Sequence, residues 1–311
     1  MNPSPYAPMQ YGNITGVDKP ISRLVLGSVA IVTAERAAEM YEPFMAAGGN
    51  CFDSAHQYDK GQSEKTFGQW VNKSGLREQV VLIAKGAHTP DCYPEALSEQ
   101  LLTSLDRLQT GYADLYFMHR DNPEVPVGEF VEVLNRHHRA GHIRAFGGSN
   151  WTIERIEAAN AYARAKGLVG FAAVSNNFSL ARSIEVPWAG CVVASTPEFR
   201  SWFERTQTPL FSWSSQAQGF FARAKPDDLS DSELVRCWYS EDNFARLLRA
   251  SVLAEERGVS ATGVALAYVL AQPFPTFALI GPRNPSELED SLRALAVALS
   301  PAEVRGLNLE A

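Results

Sequence analysis

The chain has 311 residues, 45% hydrophobic and 20% charged, and its 28 Lys and Arg against 35 Asp and Glu give a formal net charge of −7. That balance excludes a long disordered region, allows a sizeable core, and argues against a general nucleic-acid binder, which needs a net basic face. No run approaches the roughly 20 apolar residues of a membrane span, no secretory leader is visible, and Cys51, Cys92, Cys191 and Cys237 are too scattered for a CxxC zinc site or a disulfide framework, so a reduced, cytoplasmic protein is expected.

In chain order, residues 10–19, with Gly12 and Gly16 as turn residues, read as a small hairpin closing the bottom of the fold. Eight short apolar β-rich runs come next, at 23–27, 50–53, 80–85, 113–119, 143–147, 170–175, 209–213 and 276–280. Helical spacing separates them. Residues 34–47 place Ala37, Met40, Tyr41 and Phe44 on one stripe, and 94–108 do the same with Leu97, Leu101, Leu105 and Leu108. The cationic run from Arg136 to Arg139 reads as a helix C-terminus stopped by Gly141. Residues 151–166 open on Thr152 as a cap, 241–257 stop at Gly258, and 260–272 and 285–299 complete the set. Residues 187–191 and 220–239 read as loops whose aromatics, Trp188, Phe220, Phe221, Trp238 and Tyr239, would cover a site or stack on a substrate. Strand-then-helix units make parallel neighbours with right-handed crossovers. Eight of them predict an α/β chain folded as one (β/α)8 barrel domain over 1–311, with a short N-terminal hairpin. A doubly wound sheet is the competitor, but no GxGxxG follows the first strand and no phosphate-binding GxxxxGK[ST] occurs.

Barrel chemistry sits where strands end and in the loops after them. The second strand ends at Asp53, with Tyr58 five residues on; the third ends at Lys85 and the fourth at His119. Each alone is ordinary: a cap, a solvated strand end, a core imidazole, a packing aromatic. Together they would put a carboxylate, an ammonium, an imidazole and a phenol on one face, and ionisable groups closing apolar strands are costly unless paired or used.

The stretch Asn50-Cys51-Phe52-Asp53-Ser54-Ala55-His56-Gln57-Tyr58, followed by Gly61-Gln62-Ser63-Glu64, resembles the signature of the aldo-keto reductase family. So, in the same order, do Leu82-Ile83-Ala84-Lys85, the run from Asp114 to Arg120, Gly148-Ser149-Asn150, Trp213 through Gly219, and Leu279 through Pro285, over about residues 10 to 300. The resemblance implies carbonyl reduction, reversibly alcohol oxidation, by hydride transfer with a nicotinamide cofactor and no metal. It casts Tyr58 as the proton donor. Lys85 would lower the pKa of that phenol from about 10, Asp53 would keep Lys85 charged, and His119 would hold the carbonyl oxygen.

The same resemblance assigns Ser149, Asn150 and Ser175 to the carboxamide, although Ser175 is short where relatives commonly carry Gln. Trp213 stands where a Tyr usually stacks on the ring. Ser214, Gln216 and Gly219 would line the pyrophosphate, and Gly281, Arg283, Asn284, Glu287 and Ser291 the adenosine end. Arg283 pairing a 2′-phosphate favours NADP(H), whereas Glu287 accepting from a ribose hydroxyl would favour NAD(H). His56, His88 and Trp188 are expected to face a small, possibly sugar-derived, aldehyde or ketone, with neither nucleic acid nor membrane as partner. Two other functions compete: a cofactor-binding sensor or regulatory subunit, and a Schiff-base lyase using Lys85, which would need that lysine neutral.

Overall fold

The structure is a computed structural model that describes residues 6–310. In chain order the elements are β1 (Tyr11–Gly12), β2 (Ile21–Ser22), β3 (Leu24–Gly27), α1 (Ala34–Ala46), β4 (Cys51–Asp53), α2 (Gln62–Lys73), β5 (Val81–Gly86), α3 (Pro94–Arg107), β6 (Ala113–Met118), α4 (Val127–Arg139), β7 (Ile143–Ser149) and α5 (Ile153–Lys166). They continue as β8 (Ala173–Ser175), α6 (Pro197–Thr206), β9 (Leu210–Ser212), α7 (Phe220–Arg223), α8 (Ser232–Trp238), α9 (Glu241–Arg257), α10 (Ala261–Leu270), β10 (Thr276–Ile280), α11 (Pro285–Arg293) and α12 (Pro301–Leu307). β1 and β2 form an antiparallel hairpin, and the other eight strands close into a parallel barrel in the order β10-β3-β4-β5-β6-β7-β8-β9.

Alternation along each strand sorts side chains to two faces. Leu24, Leu26, Phe52, Leu82, Ala84, Tyr116 and Phe146 belong to the layer that also contains the helices' apolar stripes. Val25, Cys51, Val81, Ile83, Leu115, Phe117, Ala145, Ala173, Phe211, Phe277 and Leu279 form a second cluster, the barrel interior. Ile14, Val17 and Ile21 join that interior cluster from the hairpin, so the hairpin plugs the end of the barrel where the strands begin. Gly147 must be glycine: a Cβ there would lie 2.0 Å from the Ala173 carbonyl oxygen on the adjacent strand.

Several elements differ from what periodicity predicts. α2 and α6 have no counterpart among the helices expected from spacing. α2 buries Ser63, Glu64, Thr66 and Gly68 beside Phe67, Trp70 and Val71, so polar residues disguise its inner face. Residues 220–239 are not a loop: they hold α7 and α8, whose Phe220, Phe221 and Trp238 are buried. The last expected helix, 285–299, stops at Arg293 and continues only as a short 3-10 turn, because Val297 turns extended. Among the described residues, no helix is long and apolar enough to cross a membrane.

Candidate active site

The inward parity of the strands continues to their C-terminal ends. Beyond Cys51 the next inward position on β4 is Asp53, and beyond Ile83 on β5 it is Lys85. By the same count His119 follows Phe117, Ser149 ends β7, Ser175 ends β8, and Trp213 follows Phe211. These side chains therefore meet over the apolar floor of the barrel. They line a cavity of about 1190 Å³ that also includes Gly27, Tyr58, Arg120, Trp188 and the loops after β9 and β10.

Tyr58 reaches this floor from a turn that the sequence builds locally. Asp59, Lys60 and Gly61 have φ of 48°, 56° and 86°, all left-handed. The Asp59 carboxylate accepts from the Ala30 amide at 2.9 Å and from the Ser63 hydroxyl, tying the turn to the loop after β3. Glu64, fully buried, pairs with Arg107 at 3.1 Å, and Arg107 donates to the His56 carbonyl at 2.8 Å. A Cβ on Gly61 would lie 2.4 Å from the Arg107 guanidinium carbon, so glycine is needed both for the turn and for the closeness of that cation. The Gly-x-Ser-Glu sequence is thus a clamp that holds the tyrosine loop against α3.

Lys85 donates to both oxygens of Asp53, and the pair is almost wholly buried. The Lys85 ammonium lies 5.0 Å from the centre of the Tyr58 ring, and the Tyr58 and His119 rings stand edge to face with centres 5.7 Å apart. Burial works against the Lys85 charge, but Asp53 and Tyr58 outweigh it and hold the ammonium above its usual pKa. Burial pushes the Asp53 carboxyl up against the pull of Lys85, so the ion pair depends on both partners. Desolvation likewise raises the Tyr58 phenol; Lys85 pulls it down, as expected, yet does not win. Here the structure corrects the expectation of a net lowered tyrosine. His119 is driven well below the usual imidazole range by burial and then by the charge of Lys85, so it is neutral at pH 7, and its Nδ1 is buried without a partner among the described residues.

The remaining candidates fall into two groups. Ser149, Asn150, Ser175, Trp213, Ser214, Gln216, Gly219, Gly281, Arg283, Glu287, Trp188 and His88 all line the cavity. The Asn150 amide is already engaged, donating to the His119 carbonyl at 3.2 Å and to Ser149 Oγ at 3.1 Å and accepting from the Val192 amide at 3.1 Å. Trp213 and Trp188 lie with ring centres 5.9 Å apart. Ser214, Ala217, Gln218 and Gly219 all have positive φ, making a compact turn along the cavity wall. Arg283 and Glu287 pair with each other at 2.8 Å.

Three residues stand back from the cavity. The His56 ring is turned to Arg107, 3.4 Å from its guanidinium, because the clamp takes that loop. Ser291 is buried, accepting from Gln216 Nε2 at 3.0 Å and so positioning Gln216. Asn284 caps α11 by accepting from the Glu287 amide at 3.0 Å. Conversely, Arg36, Arg120, Arg223 and Gln218 line the cavity without having been expected there as ligand groups. Arg36 sits on a helix and Arg223 in a stretch that read as loop; Arg120, beside His119, and Gln218, inside the segment from Trp213 to Gly219, were within reach of a sequence argument.

The cavity at the C-terminal ends of the eight parallel strands is thus floored by a phenol, a paired ammonium and a neutral imidazole. The family model of the aldo/keto reductase family matches residues 23–308, and the chain belongs to that family. It is 26% identical to the uncharacterized oxidoreductase YrpG of Bacillus subtilis over 96% of this chain and 95% of that one. It is 27% identical to the norsolorinic acid reductase stcV of Emericella nidulans, covering 88% and 71% of the two chains. Among solved structures it is similar to the thermostable aldo-keto reductase Tm1743 in complex with the inhibitor epalrestat, at a TM-score of 0.74, 21% identity, and 97% and 99% coverage. It is also similar to an aldo/keto reductase from Klebsiella pneumoniae in complex with NADP and acetate, at a TM-score of 0.70, 22% identity, and 93% and 91% coverage.

Proposed function

We propose that the protein is an NADP(H)-dependent reductase of small aldehydes and ketones, with Tyr58 as the general acid. The observation that carries this reading is the meeting of Tyr58, Lys85, Asp53 and His119 at one point of a cavity of about 1190 Å³. A dinucleotide fits the residues along that cavity. The Trp213 face and Ser149 suit a nicotinamide ring and its amide, and the positive-φ turn at 214–219 suits a pyrophosphate. Arg36, Arg223 and Arg283 supply cations for the phosphates. Arg283 is more than half exposed, so its pairing with Glu287 is loose enough to open to a 2′-phosphate. When bound, the cofactor supplies the hydride.

The side chains divide the rest of the work. A phenol whose pKa is raised by desolvation carries its proton at neutral pH, but the same rise makes that proton harder to release, so donation depends on what stabilises the phenolate. The neighbouring Lys85 charge stabilises the phenolate left behind, and Asp53 keeps that charge in place. Neutral His119 can offer an N–H to the carbonyl oxygen as negative charge grows there. The same ion pair counts against a Schiff-base lyase, because Lys85 is held protonated and a nucleophilic amine must be neutral.

Tyr58→Phe removes the proton and little else. NADPH oxidation with an aldehyde should fall by about 10²- to 10⁴-fold, while NADPH binding, followed by quenching of protein fluorescence, persists. A variant that keeps most of the wild-type rate would overturn the assignment of the acid.

A further inference from the structure

Five Lys or Arg side chains line the cavity, and four of them have a carboxylate partner. Lys85 pairs with Asp53, Arg36 with Glu39, Arg223 with Asp231 and Arg283 with Glu287. Arg120 differs. It is 6% exposed, the most buried arginine of the cavity wall, and among the described residues no carboxylate ion-pairs with it. Its contacts are neutral: one terminal nitrogen donates to the His119 carbonyl at 3.1 Å and the other to the Cys191 sulfur at 3.4 Å, while Nε has no partner among the described residues. The Cys191 thiol cannot serve as the missing anion, because burial raises its pKa. Burying a guanidinium without a counter-charge is costly, and the main chain that carries it is held on both sides. The Arg120 amide donates to the Ala87 carbonyl at 3.2 Å, and the Arg120 carbonyl accepts from Trp151 Nε1 at 3.3 Å.

We propose that Arg120 is a substrate anchor, and that the preferred substrates are aldehydes or ketones carrying a carboxylate a short distance from the carbonyl. The inference rests on the carbonyl-reductase reading above and deepens it. The place follows from the geometry: Arg120 adjoins His119 in sequence and is bonded to its carbonyl, and its charge acts on Tyr58, His88 and His119. An anion held there lies beside the carbonyl site and away from the Arg223–Arg283 end. The charge also follows. One guanidinium matches a carboxylate, whose planar fork it can meet with two parallel hydrogen bonds. A phosphate dianion would want a second cation, and the nearby ammonium, Lys85, is committed to Asp53.

The test compares acids with their own esters. Values of kcat/KM with NADPH are measured for 3- and 4-carboxybenzaldehyde and succinic semialdehyde, each against its methyl ester, with benzaldehyde as the neutral reference. Glyceraldehyde 3-phosphate against glyceraldehyde forms a separate arm. For at least one pair, the acid should be favoured by about tenfold to a hundredfold, the range of a hydrogen bond to a charged group. Arg120→Met should bring that acid-to-ester ratio to one or below, and Arg120→Lys should restore part of it. The wild-type comparison needs no variant, so a misfolded Arg120→Met does not spare the proposal. Esters equal to or better than the acids throughout would overturn it, as would an acid preference that survives Arg120→Met. A preference for the phosphate ester alone would overturn the carboxylate assignment. If benzaldehyde is reduced without any acid preference, only this inference fails; if no carbonyl compound is reduced, the underlying reading fails and takes the inference with it.

Discussion

Arg107→Met removes one half of the clamp behind the tyrosine loop and leaves Glu64 with no counter-charge at a fully buried position. Losing one partner of a buried pair costs about 3–5 kcal/mol, chiefly because a bare charge remains. Unfolding entropy of about 2.1 cal/mol/K per residue gives this 311-residue chain ~0.65 kcal/mol/K, so the melting temperature should drop by about 5–8 °C at pH 7. The sign of the pH dependence follows from Glu64. Burial already raises its pKa, against the pull of Ser104 and Arg107, and without Arg107 it must rise further. A carboxyl whose folded pKa exceeds its unfolded value favours the folded state most when protonated, so this destabilisation grows as pH rises through the folded pKa. The gap in melting temperature between wild type and variant should therefore shrink between pH 7 and pH 5, read by circular dichroism. The His56 carbonyl also loses its donor two residues before Tyr58, so kcat should fall along with stability. The double variant Arg107→Met/Glu64→Gln, which carries no buried charge, should recover much of the lost stability at pH 7. A double variant no more stable than Arg107→Met would refute the account, since the loss would then not come from the stranded carboxylate.

Two other outcomes can be checked directly. Arg283→Ala should raise the NADPH dissociation constant by about tenfold, as loss of a charge-assisted contact implies, and leave that for NADH nearly unchanged; equal losses for both would detach Arg283 from the 2′-phosphate. His119, whose folded pKa is depressed by burial, stabilises the fold fully above the unfolded imidazole pKa of about 6.5 and loses that contribution as pH falls below it. Urea unfolding between pH 7.5 and 5.5 should show stability falling, by up to about 1.4 kcal/mol per pH unit for one proton, and His119→Gln should flatten that slope; parallel slopes would mean the imidazole is not buried in its neutral form.

The barrel and the polar residues at its floor are legible in the chain alone. Apolar runs and the residues that close them are local features, so Asp53, Lys85 and His119 stand out as polar strand ends with no knowledge of which strands are neighbours or which face points inward. What surrounds those groups is set by packing between distant segments. The turning of His56 toward Arg107, the burial of Glu64 on a helix with a polar inner face, and the net rise of the Tyr58 pKa all depend on residues far away in the chain. So does the unpaired charge of Arg120, which no motif reveals because it consists in what the neighbouring strands and loops fail to provide. Hydrophobic alternation is written residue by residue, but desolvation and charge compensation are sums over everything packed around a group, and those sums exist only once the barrel has closed.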